Sequence, residues 1–227
     1  PILKRLLNMQ FVRKQGGNFS LHAVDREYAL SRIPPDELND QGMNNPPFTQ
    51  RALFHRAANF YRDIRKPQNE WNTLDDLTPQ IREFDLRCHG KEYEPALRLL
   101  LTFDFDYLLR WGHYRLMANF HERVHGQLQD QKLQQLHLAN LGTAYYRIGD
   151  LSKAIHYHEE ALTLAQHNQD PSGESIALAN LGLCYRGLGK TLEAIDNYEA
   201  SLPILRELNL RDAVATVLMN LGTAYSS

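Results

Sequence analysis

One octet recurs along the C-terminal part of the chain in fixed register. Leu138-Ala139-Asn140-Leu141-Gly142-Thr143-Ala144-Tyr145 returns 40 residues later as Leu178-Ala179-Asn180-Leu181-Gly182-Leu183-Cys184-Tyr185. It returns after another 40 as Leu218-Met219-Asn220-Leu221-Gly222-Thr223-Ala224-Tyr225. A period of this size marks a stack of supersecondary units, none of which can bury its apolar face alone. Within the first unit, Leu138, Leu141, Tyr145 and Ile148 share one helical face. Gly149 and Gly189 stand where that first helix should end, a place that favours a left-handed residue. A second helix follows, with Ala154 and Ala161 in one unit and Ala194 in the next, small enough for a tight crossing. Gly142 and Gly182 lack a side chain where a neighbouring helix must come close. The pattern predicts all-α helical hairpins over 130–227, with the third unit present only as its first helix. Leu218, Leu221 and Tyr225 then lack a cover, so self-association through this open end is expected. Pro203, inside the second helix of its unit, is expected to kink or shorten it.

These octets resemble the tetratricopeptide repeat, whose pattern is a large residue, Leu-Gly, Tyr, then Ala and an aromatic in the second helix. Leu138 and Leu178 replace the usual Trp, and His158 and Tyr198 take the aromatic slot. The period exceeds the common one of about 34 residues, as in long-helix varieties. The resemblance implies a superhelix whose first helices line a concave, protein- or peptide-binding wall. On that wall Asn140, Asn180 and Asn220 would stack in a ladder, flanked by Ala139, Thr143, Tyr146, Ala179, Leu183 and Arg186. An amide both donates and accepts, so it can pair with a ligand backbone whatever its sequence. It can equally bond the neighbouring hairpin and be purely structural. Family members that grip chaperone tails use a clamp of Lys, Asn and Arg. Ala139 and Thr143 stand in slots where that clamp needs Lys and Asn, so chaperone-tail binding is not expected.

Upstream, Phe11 to His22 reads as a β-hairpin around Gly16-Gly17, between a helix end at Pro1–Met9 and helical Val24–Ile33. Helix, hairpin, helix resembles the end of the winged-helix domain in STAND signalling ATPases, including the NB-ARC proteins. In that class a helical arm and a repeat array often follow. Leu21-His22-Ala23 stands where the class has Met-His-Asp, so the resemblance gives His22 a nucleotide-sensing role in a full-length protein, although two of the three positions differ. No G-x-x-x-x-G-K-[ST] occurs in the sequence.

Residues 34–47 read as a loop. Gln50 to Arg65 reads as a helix with Leu53, Ala57, Phe60, Tyr61 and Ile64 sharing one face at helical spacing. A connector over 66–75 leads to a helix over 77–88 with Asp76 as N-cap. Helical pattern continues over 93–101, 107–111 and 114–124, broken at Gly90 and Gly112. Three regions result: 1–33, the end of a winged-helix domain; 34–129, an arm of degenerate hairpins; 130–227, the repeats.

His121-Glu122-Arg123-Val124-His125 matches H-E-x-x-H, in which two His one turn apart hold zinc and the Glu activates water. Arg123 sits beside the would-be metal, no third ligand follows at a familiar spacing, and Gly126 ends the helix at once. The motif is therefore read as a coincidence on a solvated helix, with no metal. Arg13 and Lys14 on the hairpin are too few to argue for DNA. No nucleophile–base pair or paired carboxylates stand out, so no catalytic residue and no cofactor are assigned.

The 227 residues, 43% hydrophobic and 23% charged, suit a globular protein, and a net charge of −2 gives no general pull towards nucleic acid or an anionic membrane. Runs such as Leu99-Leu100-Leu101 are too short to span a bilayer. Two cysteines, Cys88 and Cys184, fit a reducing compartment, so a cytoplasmic setting is expected. The chain starts at Pro1 and stops at Ser227 within a helical pattern, and is expected to be part of something longer. The reading is an all-α repeat superhelix with a winged-helix remnant, acting as the protein- or peptide-binding sensor arm of a STAND-type ATPase. A constitutive scaffold without ATPase is the alternative, and a zinc hydrolase through His121 is third.

Overall fold

The computed structural model describes residues 12–15, 18–21 and 49–226. Strands β1 (Val12–Gln15) and β2 (Asn18–Leu21) pair antiparallel, Val12 opposite Leu21 and Gln15 opposite Asn18, on either side of Gly16-Gly17. The helices expected before and after this hairpin, the loop over 34–47 and His22 lie outside the described residues, and so does the winged helix as a unit.

From Gln50 onward the described chain is helical: α1 (Gln50–Asp63), α2 (Thr78–His89), α3 (Tyr93–Leu100), α4 (Tyr114–Val124), α5 (Gln131–Ile148), α6 (Leu151–His167), α7 (Pro171–Gly187), α8 (Thr191–Glu207) and α9 (Arg211–Tyr225). Short 3-10 turns precede α2, and a π-helical turn, Asp104–Leu109, joins α3 to α4. Sequential helices pack on one another, α5 on α6, α6 on α7, α7 on α8, α8 on α9. Among the described residues no helix is long and apolar enough to cross a membrane.

The ends follow local chemistry. Asp130 and Asp150 accept backbone N–H bonds at the starts of α5 and α6. Gly149 closes α5 with φ 93°, a left-handed conformation that suits a residue without Cβ. Ala154, Ala161 and Ala194 are buried in the seams, and Gly142 and Gly182 each receive a ring. A Cβ on Gly142 would lie 2.7–2.9 Å from the His158 imidazole, and one on Gly182 would lie 2.5–2.9 Å from the Tyr198 ring.

The arm departs from expectation in three places. On α1 the fully buried residue is Ala58, with Phe54 against His89, while Phe60 and Ile64 are exposed. Residues 54, 58 and 61 follow one helical line. Asp76 does not cap α2. It closes a capping box with Thr73 around the preceding 3-10 turn. Residues 107–111 fall within and just beyond a π turn, not an α-helix. In the stack, Pro203 sits inside α8 without shortening it, since α8 and α6 are both 17 residues long. The arm also carries a buried carboxylate, Glu83, paired with Arg65 and with Arg87 at 2.8 Å.

The third octet shows what the seats require. Nothing lies within 4 Å of a Cβ built on Gly222. Gly142→Ala should therefore overpack against His158 and lower stability by about 1–3 kcal/mol. Gly222→Ala should be neutral or stabilising by up to about 1 kcal/mol, the helix-propensity gain alone. Urea unfolding of both variants checks this, and equal losses would contradict the ring-on-glycine packing.

Candidate groove on the first-helix wall

α5 and α7 present the same register positions to one side of the stack. Between them lies a cavity of about 470 Å³. Of the residues anticipated on the wall, Asn140, Thr143, Tyr146, Asn180 and Leu183 line it, with Ala139. Ala179, Arg186 and Asn220 do not line it. Arg186 Nη1 donates to Asn220 Oδ1 at 3.2 Å, tying α7 to α9.

The three amides of the ladder have three different environments. Asn140 Nδ2 donates to Asp104 Oδ2 at 2.8 Å, reaching back to the π turn. Asn220 accepts from Arg186 of the preceding repeat. Asn180 makes no side-chain hydrogen bond with the described residues. The residue one period before Arg186 is Tyr146, which offers Asn180 no comparable cation. Thr143 spends its hydroxyl on the Ala139 carbonyl at 2.9 Å. A continuous ladder is thus not what the geometry forms: Asn180 alone keeps its amide free, and Asn140 is half committed.

Beside Leu183 and Ala139, the cavity's apolar surface comes from residues outside the repeated octet. Leu136 is 49% exposed and Ile176 48%, one period apart on α5 and α7. The 40-residue spacing was the signal that would have found them. Phe105, 52% exposed, and Leu109 close one end from the π turn, and no periodicity reveals those. Gln135 Nε2 donates to Asp170 Oδ2 at 2.6 Å along the same cavity. His158 also lines it, and its buried Nδ1 has no partner among the described residues.

The H-E-x-x-H segment lies half in the core: Glu122 and His125 are exposed, as a solvated helix would have them, and His121 is not. His121 is fully buried, a correction to the expectation, because α4 packs on α5 there. His121 Nδ1 lies 3.2 Å from His137 Nδ1, and His125 Nδ1 lies 3.1 Å from His137 Nε2. The two motif histidines therefore address opposite nitrogens of a third ring instead of converging on one point. Glu122 accepts from the Tyr145 hydroxyl, to which Lys153 Nζ donates at 3.2 Å. Burial, then the bond to Glu122, raises the Tyr145 hydroxyl above its ordinary range. Among the described residues no group of three His, Cys, Asp or Glu is disposed to hold a metal. Cys88 and Cys184 are free thiols raised by burial, to about 11 and about 12, and neither is poised as a nucleophile.

Two tetratricopeptide-repeat family models match the chain, one over residues 138–172 and one over 173–227. No curated protein matches. Among solved structures, aspartyl phosphate phosphatase F from Bacillus subtilis superposes with a TM-score of 0.58 at 11% identity, over 78% of this chain and 45% of that one. BtubC (BKLC) from P. vanneervenii gives 0.43 at 21% identity, over 78% and 65%. A STAND protein with a tetratricopeptide repeat sensor from Pyrococcus horikoshii gives 0.48 at 14%, over 99% and 42%. The first likeness is one of fold alone, and the other two superpose too loosely to add to it. The chain spans less than half the length of the phosphatase. Residues 138–227 are tetratricopeptide repeats, and the fold is the helical-hairpin superhelix those repeats build.

Two buried imidazoles set an acid limit on this fold. Burial, then His121 and His125, pushes His137 down from 6.5 to about 3, and burial pushes His158 down to about 4. Both folded values lie below the unfolded one, so the unfolded chain binds more protons in acid. The stability they contribute is complete above pH 6.5 and is lost as pH falls towards 4 and 3. Each group should remove roughly 1.4 kcal/mol per pH unit over that window. His158→Tyr, which copies Tyr198, should flatten the fall in melting temperature between about pH 7 and about pH 5. An unchanged slope would mean that His158 is not buried neutral.

Proposed function

We propose that the chain is a non-catalytic, protein- or peptide-binding region whose ligand lies across α5 and α7. The observation that carries this is the half-exposed apolar set Phe105, Leu136 and Ile176 around one cavity beside the free amide of Asn180. Exposed apolar side chains gathered in a concavity favour a partner's bulky apolar residue. Asn180 can then donate to and accept from the partner's backbone. Apolar anchors seated in a groove supply most of such a grip, and the amide adds a main-chain bond.

We further propose that the region is the sensor arm of a STAND-type signalling ATPase. Supporting it are the hairpin of β1 and β2 ahead of an arm and a repeat stack, and the sequence likeness around Leu21-His22-Ala23. His22 would then sense nucleotide held by another domain. Occupancy of the groove would shift such a molecule between states only through different affinity for the two.

A peptide library displayed on phage and panned against the chain tests the groove. Selected peptides should carry a bulky apolar residue. Leu183→Glu should weaken them by about tenfold or more, by placing a charge against apolar surface. Asn180→Ala should cost about 0.5–1.5 kcal/mol of affinity with the melting temperature unchanged. Selected peptides that ignore Leu183→Glu would move the site elsewhere. The same peptides should change the ATP hydrolysis rate of the full-length protein. A full-length protein without ATPase activity would leave the constitutive scaffold.

A further inference from the structure

Between the groove and the opposite face of the stack runs a single hydrogen-bonded row. It starts at Asn140 on the cavity wall, whose Nδ2 donates to Asp104 Oδ2. His121 Nε2 lies 3.0 Å from the same oxygen, His137 Nδ1 lies 3.2 Å from His121 Nδ1, and His125 Nδ1 lies 3.1 Å from His137 Nε2. Asp104, His121 and His137 are buried. His125 is exposed and lines a second cavity of about 380 Å³, with Leu128, Leu138, Leu164 and Glu160, on the far side.

With all three rings neutral, the row has one consistent direction. Asp104, as a carboxylate, only accepts, so His121 Nε2 carries the hydrogen. Neutral His121 then accepts at Nδ1 from His137, and neutral His137 accepts at Nε2 from His125. Each donor points towards Asp104, and His125 Nε2 is left outside the row at the exposed end. Among the described residues no Lys or Arg pairs with Asp104. The row can therefore balance one added proton against that carboxylate. A second would place two imidazolium rings next to each other inside a dry wall.

We propose that this row is an acid-sensitive latch between the arm and the repeat stack. α4 carries His121 and His125, α5 carries His137 and Asn140, and the π turn carries Asp104, so all three elements separate when the row is charged twice. The burial that holds His137 neutral works in the same direction. The other charged groups at this seam are already engaged. Glu122 is bonded to Tyr145, Arg123 to Asp85 of α2, and Lys153 to Tyr145. From α6, Tyr157 meets His125 edge-on and Glu160 pairs with His156 at 3.3 Å. Of these only Glu160 lines the cavity that His125 enters, at the exposed end of the row, and none is bonded to the buried rings of His121 and His137.

Opening the latch carries Phe105 and Leu109 away from α5 and releases Asn140, which removes the end wall of the groove. This consequence rests on the groove being the binding surface, whereas the latch itself does not. The test therefore uses the whole chain without ligand: hydrogen exchange by mass spectrometry, corrected for the intrinsic pH dependence of amide exchange. Between about pH 7.5 and about pH 5.5, amides of 104–125 and 133–145 should lose protection by about tenfold, with 171–207 nearly unchanged. His125→Gln keeps a donor for His137 but leaves no imidazole at the exposed end of the row, so it should move the opening to lower pH. His158→Tyr, which removes the other acid-sensitive imidazole, should leave the opening in place. Protection equal at both pH values, a loss spread evenly along the chain, or an opening that follows His158 and ignores His125 would each overturn the latch. A groove that fails to select peptides while the latch opens as described would sink the binding surface alone.

Discussion

The contact on which the stack depends is an aromatic ring laid on a glycine. His158 occupies the space a side chain on Gly142 would need, and Tyr198 does the same over Gly182. Because the ring takes the place of a Cβ, the two helices of each hairpin approach closely, and alanines at 154, 161 and 194 complete the seam. The chemistry of the ring is secondary to its size. Both His158 Nδ1 and the Tyr198 hydroxyl are buried without a partner among the described residues, which a slot chosen for polarity would not tolerate twice. Burial raises the Tyr198 hydroxyl to about 12 and lowers His158, so each ring stays neutral where it sits. Equivalent seats 40 residues apart repeat the same close approach, and equivalent residues of α5 and α7 line one cavity.

The repeat was legible because it is written more than once. Gly142, Gly149, Ala154 and Tyr145 each have a counterpart 40 residues on, so a pattern ambiguous in one copy is settled by the other. The arm is written once. There the apolar face of a single helix has no second copy to check it, and Phe60 and Ile64 prove exposed while Ala58 is buried. The π turn at Asp104–Leu109 leaves no mark in periodicity because its hydrogen-bond spacing answers to packing against α4. Pro203 illustrates the reverse: a strong local signal against a helix interior is overridden by the burial of Ser201, Leu202 and Leu205 on either side.

The candidate site divides along the same line. Asn180, Leu183, Thr143 and Tyr146 were readable as wall residues because register places them, and the cavity contains them. What register cannot say is what each side chain touches. The same asparagine slot bonds an aspartate from the π turn at 140, an arginine from the preceding repeat at 220, and no described side chain at 180. The difference comes from the neighbour, Tyr146 standing where the next repeat has Arg186. A repeated residue thus shares a position without sharing a role, and the copy whose neighbour cannot bond it is the one left for a ligand.

The H-E-x-x-H segment shows why spacing alone does not specify chemistry. Residues one turn apart on a helix point the same way, and that serves a metal and a packed interface equally well. The partner opposite decides. Here His137 of α5 stands between His121 and His125 and offers one nitrogen to each, and the slot one period later holds Ala177, so the arrangement belongs to the joint with the arm and not to the repeat. Apolar faces such as those around Phe84, Phe120 and Met117 tolerate sliding, because dispersion contacts are non-directional. A row of directional bonds buried among them is satisfied in one alignment only. The arm, which lacks the glycine seats that align the repeats, takes its register against α5 from these polar side chains.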